Sequence, residues 1–122
     1  MKCVCLIDDD DVHNFTCKLF INKIFPDLKI ICFSNPVKAY QQLANGVIKS
    51  NNLILLDLQM PEMNGWKFLD QCISLNMYPP TIILTSYDIS FIESKAKSYS
   101  NVKSILSKPF TKEHAYLLEE YL

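Results

Sequence analysis

Carboxylates are the first chemistry this chain offers. Asp8, Asp9, Asp10 and Asp11 follow directly on the apolar run Val4-Cys5-Leu6-Ile7, and Asp57 closes a second such run, Leu53-Ile54-Leu55-Leu56. Neighbouring carboxylates repel, so a fold that keeps them together places a cation among them or gives them different tasks. Two further apolar runs end in polar groups of other kinds: Thr85-Ser86 after Ile82-Ile83-Leu84, and Lys108-Pro109 after 102–107. Taken singly, each group is ordinary. An Asp after a strand usually caps a helix or forms a turn, a Thr-Ser pair caps backbone, and Lys-Pro makes a surface turn. Together they have the makings of a site for a divalent metal and a phosphoryl group. Acids supply oxygen ligands for Mg²⁺, while a lysine and a hydroxyl meet the anionic oxygens that the metal leaves uncovered.

Such a site exists only if the fold brings these run ends to one place. Strands are expected over 2–8, 28–34, 52–57, 81–86 and 102–107. They are short, rich in Ile, Leu and Val, and lack strict alternation, as for strands covered on both faces. Between them, helical periodicity predicts helices over 12–25 (apolar face Cys17, Phe20, Ile21, Ile24), 36–45, 65–76 (Leu69, Cys72, Ile73), 89–99 (Ile89, Ile92, Ala96, Tyr99) and 111–121 (Thr111 as cap, Leu118 and Tyr121 inward). Repeated βα units imply a parallel sheet with helices on both faces and right-handed crossovers. Ligands of such sheets bind beyond the carboxyl ends of the strands. Strand two ends in Ser34-Asn35-Pro36, read as turn chemistry only, which places it at an edge beside strand one.

The 122 residues suit one domain with one core, and no composition shift or linker divides them. A net charge of -1 gives no footprint for nucleic-acid or membrane-surface binding. No apolar stretch approaches the ~20 residues that span a bilayer, and the N-terminus enters a strand without a signal-peptide pattern. The five cysteines form no CxxC pair, and His13 and His114 supply no zinc-like spacing. The cysteines read as small buried hydrophobes of a reducing cytoplasm.

With these residues in place, the chain resembles the receiver domain of two-component response regulators over essentially its whole length. The resemblance rests on Asp8-Asp9, on Asp57 within Leu55-Leu56-Asp57-Leu58-Gln59-Met60-Pro61-Glu62-Met63-Asn64-Gly65, on Ile83-Leu84-Thr85-Ser86, and on Lys108-Pro109-Phe110. It implies a doubly wound, flavodoxin-like three-layer sandwich with sheet order 2-1-3-4-5. It implies Asp57 as acceptor of a phosphoryl group from a phosphohistidine. Mg²⁺ would be held by Asp9, Asp57 and the backbone carbonyl of Gln59, with support from Asp8. Thr85 and Lys108 would meet the phosphoryl group, and the Lys108-Pro109 peptide would be cis. The implied partners are a sensor histidine kinase or phosphotransfer protein and an unknown downstream protein. Signalling would run through a changed helix 4–strand 5–helix 5 surface, the first place to look for a phosphorylation-dependent homodimer. The protein would be a cytoplasmic phosphoprotein, not an enzyme beyond its own phosphorylation and dephosphorylation. Residues 1–122 would form a stand-alone receiver, the alternative being a fragment of a longer multidomain regulator.

Ile105 stands where many family members carry a Tyr or Phe that moves with the threonine, so a different readout is expected. Gln59 and Tyr87 occupy positions that line the approach of hydrolytic water in the family, and their bulk is expected to slow loss of the phosphoryl group. Trp66 reads as a half-buried packing residue, and His13 as a packing or capping residue rather than a phosphorelay histidine. Two readings compete. The Asp8-x-Asp10-x-Val12 spacing, with Thr85 and Lys108, mimics a haloacid-dehalogenase-like phosphatase, although the only acids after the lysine are Glu113, Glu119 and Glu120, on an expected helix. A degenerate receiver used as a scaffold would lack acceptor residues that are all present here.

Overall fold

The apolar runs become strands because they are too short for buried helices and are bounded by turn-forming residues. The computed structural model describes residues 2–122. In chain order the elements are β1 (Cys3–Ile7), α1 (Asp11–Ile24), β2 (Lys29–Phe33), α2 (Pro36–Ala44), β3 (Leu53–Asp57), α3 (Gly65–Ser74), β4 (Thr81–Thr85), α4 (Ile89–Ala96), β5 (Val102–Ser107) and α5 (Lys112–Leu117). A 3-10 turn, Leu118–Tyr121, follows α5, so the expected single helix over 111–121 is an α-helix that tightens at its end. All strand pairs are parallel, in the order β2-β1-β3-β4-β5. This is the expected doubly wound three-layer arrangement, with β2 at the edge beside β1.

Successive strand residues point to opposite faces, and this divides the core. Cys5, Ile7, Ile54 and Leu56 face α2 and α3, meeting Ala39, Leu43, Phe68 and Leu69. Val4, Leu6, Leu55, Ile82 and Leu84 face α1 and α5, meeting Cys17, Ile21 and Ala115. A smaller cluster of Leu58, Ile83, Ile92 and Ala96 seats α4. The strands β1, β3 and β4 are buried throughout. The edge strands depart from the expectation of cover on both faces: Lys29 and Cys32 of β2, and Lys103 and Ser107 of β5, are exposed. An edge strand has a neighbour on one side only, so its helices cover it incompletely.

Helix starts follow side-chain chemistry. Asp10, Asn35, Asn64, Asp88 and Thr111 are the N-caps of α1 to α5, each accepting backbone N–H groups of the first turn. Asn35 is therefore a helix cap as well as a turn residue. At α5, His114 completes a capping box with Thr111, the role usually taken by Glu or Gln. Cys3, Cys5, Cys17 and Cys72 are buried, and burial pushes the thiols of Cys5, Cys17 and Cys72 up to about 12, which leaves them inert. Cys32 is the exposed exception. Among the described residues no helix is long and apolar enough to cross a membrane.

Candidate functional site

Strand register assembles the site. Ile7 pairs with Leu56, so the next residue on each strand, Asp8 and Asp57, emerges side by side at the carboxyl edge. Asp57 pairs with Leu84, which puts Thr85 just beyond it on β4. Thr85 in turn pairs with Ser107, and Lys108 comes next. The expected residues from four separate runs thus reach one edge. Asp8, Asp57 and Thr85 are 2%, 5% and 1% exposed, whereas Asp9 is open to solvent.

Lys108 joins the two buried acids. Its Nζ lies 2.8 Å from Asp8 Oδ2 and 3.4 Å from Asp57 Oδ1. The Lys108 N–H donates to the Thr85 carbonyl at 2.8 Å, and the Lys108-Pro109 peptide is cis. Asp8 is the most heavily bonded acid. Its Oδ1 accepts from the Asp10 N–H at 2.9 Å, and its Oδ2 lies 2.8 Å from His13 Nδ1. The Asn14 side chain donates to its backbone carbonyl at 2.8 Å. The Thr85 hydroxyl oxygen accepts from the Tyr87 N–H at 3.0 Å. The Gln59 side chain donates to the Tyr87 hydroxyl, linking the β3–α3 loop to the β4–α4 loop.

Carboxylate oxygens of Asp8, Asp9 and Asp57 all lie within 4.8 Å of one another. Three oxygen donors this close, one of them open to water, suit a small hard cation that keeps part of its hydration shell, as Mg²⁺ does. Asp10 and Asp11 are not in this group: Asp10 caps α1, and Asp11 sits in its first turn, where the helix dipole favours an acid. Gly65, the last residue of the acceptor-like segment, is needed for contact rather than conformation. A Cβ there would come 2.7 Å from the Asp57 carbonyl oxygen and 3.0 Å from Leu58 Cα. The start of α3 therefore packs directly on the backbone that carries Asp57.

The electrostatics separate the two buried acids. Burial disfavours the charge of Asp8, but bonds from His13, Lys108 and the Asp10 N–H outweigh it and hold the carboxyl below its ordinary value. Burial and the negative charge of Asp8 push Asp57 up to about 6, against the pull of Lys108 and the Gln59 N–H. Burial disfavours the charge of Lys108 too, yet Asp8 and Asp57 together raise it above its ordinary value.

His13 corrects the sequence reading. It neither caps α1 nor merely packs; it bonds Asp8 and faces the β5–α5 loop, with the Phe110 N–H donating to its Nε2 at 3.4 Å. The signal that finds it is geometric: helical side chains lean toward the N-terminus, so a residue in the first turn of α1 points back at the acids that precede the helix. Trp66 is half-buried as expected, stacked on Tyr99 at 5.4 Å between ring centroids, with Lys95 Nζ 5.1 Å above it.

The sequence pattern of the response regulator receiver domain matches residues 4–118. The chain belongs to this family. A two-component response regulator from Cytophaga hutchinsonii is 25% identical with a TM-score of 0.84, over 98% of this chain and 95% of that one. The chemotaxis protein CheY4 of Vibrio cholerae matches over 100% of this receiver chain and 99% of its own, at 19% identity and a TM-score of 0.80. The N-terminal domain of a response regulator/sensory box/GGDEF three-domain protein from Carboxydothermus hydrogenoformans matches at 19% identity and a TM-score of 0.79, covering 98% and 91% of the two chains. The last two likenesses concern the fold. Family membership also sets aside the phosphatase alternative, whose nucleophile would be Asp8, the acid already bonded by three donors.

Proposed function

We propose that this receiver, residues 1–122, accepts a phosphoryl group on Asp57 from a phosphohistidine. Receiver domains take such groups from histidine kinases; here the donor is a sensor kinase or a phosphotransfer protein in the cytoplasm. The Asp57 carboxylate oxygen attacks phosphorus, the phosphorus–nitrogen bond breaks, and the electron pair returns to the donor imidazole. The product is an aspartyl phosphate. The observation that carries this reading is Lys108 Nζ, 2.8 Å from Asp8 and 3.4 Å from Asp57, in a chain of the receiver family.

Each residue has a part. Lys108 favours the ionised form of Asp57 against burial and the charge of Asp8, and is in reach of the charge that arrives on it. Asp8, Asp9, Asp57 and the backbone carbonyl of Gln59 are the residues to hold Mg²⁺. When bound, that ion neutralises the acids and draws charge from the phosphoryl oxygens. Thr85 lies one residue beyond Asp57 in register; its hydroxyl oxygen accepts from the Tyr87 N–H, and its hydroxyl hydrogen is the donor for a phosphoryl oxygen. The output is a changed α4–β5–α5 surface that meets a downstream protein or a second copy of the chain. Chemistry is confined to the protein's own phosphorylation and dephosphorylation.

Incubation with acetyl phosphate and Mg²⁺, followed by intact-mass measurement, tests the reading. One phosphoryl adduct is expected on the wild type and none on Asp57→Asn. An unmodified wild type, or an adduct that survives Asp57→Asn, would overturn it.

A further inference from the structure

We infer that His13 is a positioning residue: donating from Nδ1 and accepting at Nε2, it ties the Asp8 carboxylate to the backbone of the loop that carries Lys108. The two partners fix the tautomer. A carboxylate 2.8 Å from Nδ1 only accepts, so Nδ1 carries the hydrogen. A backbone N–H only donates, so Nε2, 3.4 Å from the Phe110 nitrogen, offers its lone pair. The other neutral tautomer mismatches both contacts. Cys17 Sγ lies 3.8 Å from each ring nitrogen and so packs on the ring without choosing between them. The His13 side chain is 11% exposed, which leaves little room for water to take over its bonds.

The tie matters because it holds both halves of the Asp8–Lys108 contact. Asp8 Oδ2 is shared by His13 and Lys108, each at 2.8 Å, while Oδ1 is fixed by the Asp10 N–H. Without His13 the carboxylate keeps one side-chain donor in place of two. The Lys108-Pro109 dipeptide is anchored on either side, by the Lys108 N–H on the Thr85 carbonyl and by the Phe110 N–H on His13. One side chain of α1 therefore sets where the acid and the lysine stand relative to Asp57. The role rests on the phospho-acceptor reading of Asp57, and it acts through Asp8 and Lys108 rather than on the phosphoryl group.

Two conservative variants separate the contacts. An Asn amide nitrogen occupies the place of Nδ1 and keeps a donor toward Asp8. A Gln carbonyl occupies the place of Nε2 and keeps only an acceptor for Phe110. In the metal-free full chain, ¹⁵N NMR of the His13 ring is expected to show a proton-bearing Nδ1 and a bare Nε2. Mg²⁺ titration, read from the Asp9 and Gln59 amide shifts, is expected to weaken about 10- to 100-fold in His13→Ala, the range for groups that orient metal ligands. His13→Asn recovers most of that loss and His13→Gln little of it. The acetyl phosphate rate at subsaturating Mg²⁺ follows the same order. A proton on Nε2, an unchanged Mg²⁺ titration in His13→Ala, or equal recovery by Asn and Gln would each overturn the inference. Should His13→Ala fail to fold, the Asn–Gln comparison decides. A wild type that takes no phosphoryl group would sink the Asp57 reading, and the ring spectrum and Mg²⁺ titration would still decide the role of His13.

Discussion

Asp8 and Asp57 are the same residue type at the carboxyl ends of adjacent strands, and their surroundings send them in opposite directions. Asp8 has three donors; Asp57 has a longer contact to Lys108 and the charge of Asp8 beside it. A folded-state value of about 6, against 3.8 ordinarily, means that the folded protein holds a proton on Asp57 over a pH window where the unfolded chain does not. Stability therefore falls as pH rises through that window, and the penalty is complete above about 6. Asp57→Asn removes it. In metal-free buffer the variant is expected to be more stable than the wild type by about 1–3 kcal/mol near neutral pH. The gain should shrink as pH falls through 6 and vanish below the ordinary carboxyl range. Asp8 contributes to both proteins and largely drops out of the comparison. Urea unfolding at several pH values measures the difference, and a pH-independent gain would refute the account. The acids, Thr85 and Lys108 were legible in the sequence because each ends an apolar run. His13 was not, since a lone histidine in a first turn carries no such mark and its partners are set by tertiary packing.

At the scale of elements, strands and helix starts were legible and helix ends less so. α4 stops at Ala96, yet Tyr99 stays buried through its stack on Trp66 and its bond to Asp70 at 2.7 Å. Periodicity reports which face is apolar, and Tyr99 keeps that face after the helix has ended. The loops are where sequence reading is weakest, because contacts between them leave no local pattern. Gln59 and Tyr87 were expected to act on hydrolytic water as two separate bulky side chains; they are bonded to each other across the β3–α3 and β4–α4 loops. A latch of this kind makes a distinct prediction. Tyr87→Ala and Gln59→Ala should each shorten the life of the aspartyl phosphate about fivefold, the kinetic equivalent of one modest hydrogen bond of about 1 kcal/mol. The double variant should be little worse than either single one, because each opens the same latch. Decay of the phosphoryl adduct after removal of acetyl phosphate measures all three. Additive effects would make them independent shields, and unchanged lifetimes would remove both from hydrolysis.

At the scale of the whole molecule, the sheet divides the interior, and a signal from the carboxyl edge needs packed side chains to reach a surface. On the α4 side the packed cluster of Leu58, Ile83, Ile92 and Ala96, with Ile105 against it, is the path that the proposed output would use. Leu58 adjoins Asp57, Ile83 lies two residues before Thr85, and Ile92 and Ala96 belong to α4. Ile105 is half-buried, paired with Ile83 across the β4–β5 ladder. It has no polar tip to exchange between core and water, as a tyrosine would, so its part is to fill space under α4. Close-packed interiors pass on displacements that loose ones absorb. Ile105→Ala should therefore leave the rate of phosphorylation by acetyl phosphate unchanged while shrinking the amide shifts that the phosphoryl mimic beryllofluoride induces along α4. The stability cost should be about 2 kcal/mol, the low end for a large-to-small change because the side chain is only half-buried. Undiminished α4 shifts in a folded Ile105→Ala protein would put the route elsewhere. Shifts lost together with phosphorylation would mean that Ile105 supports the site itself, and not the path leading out of it.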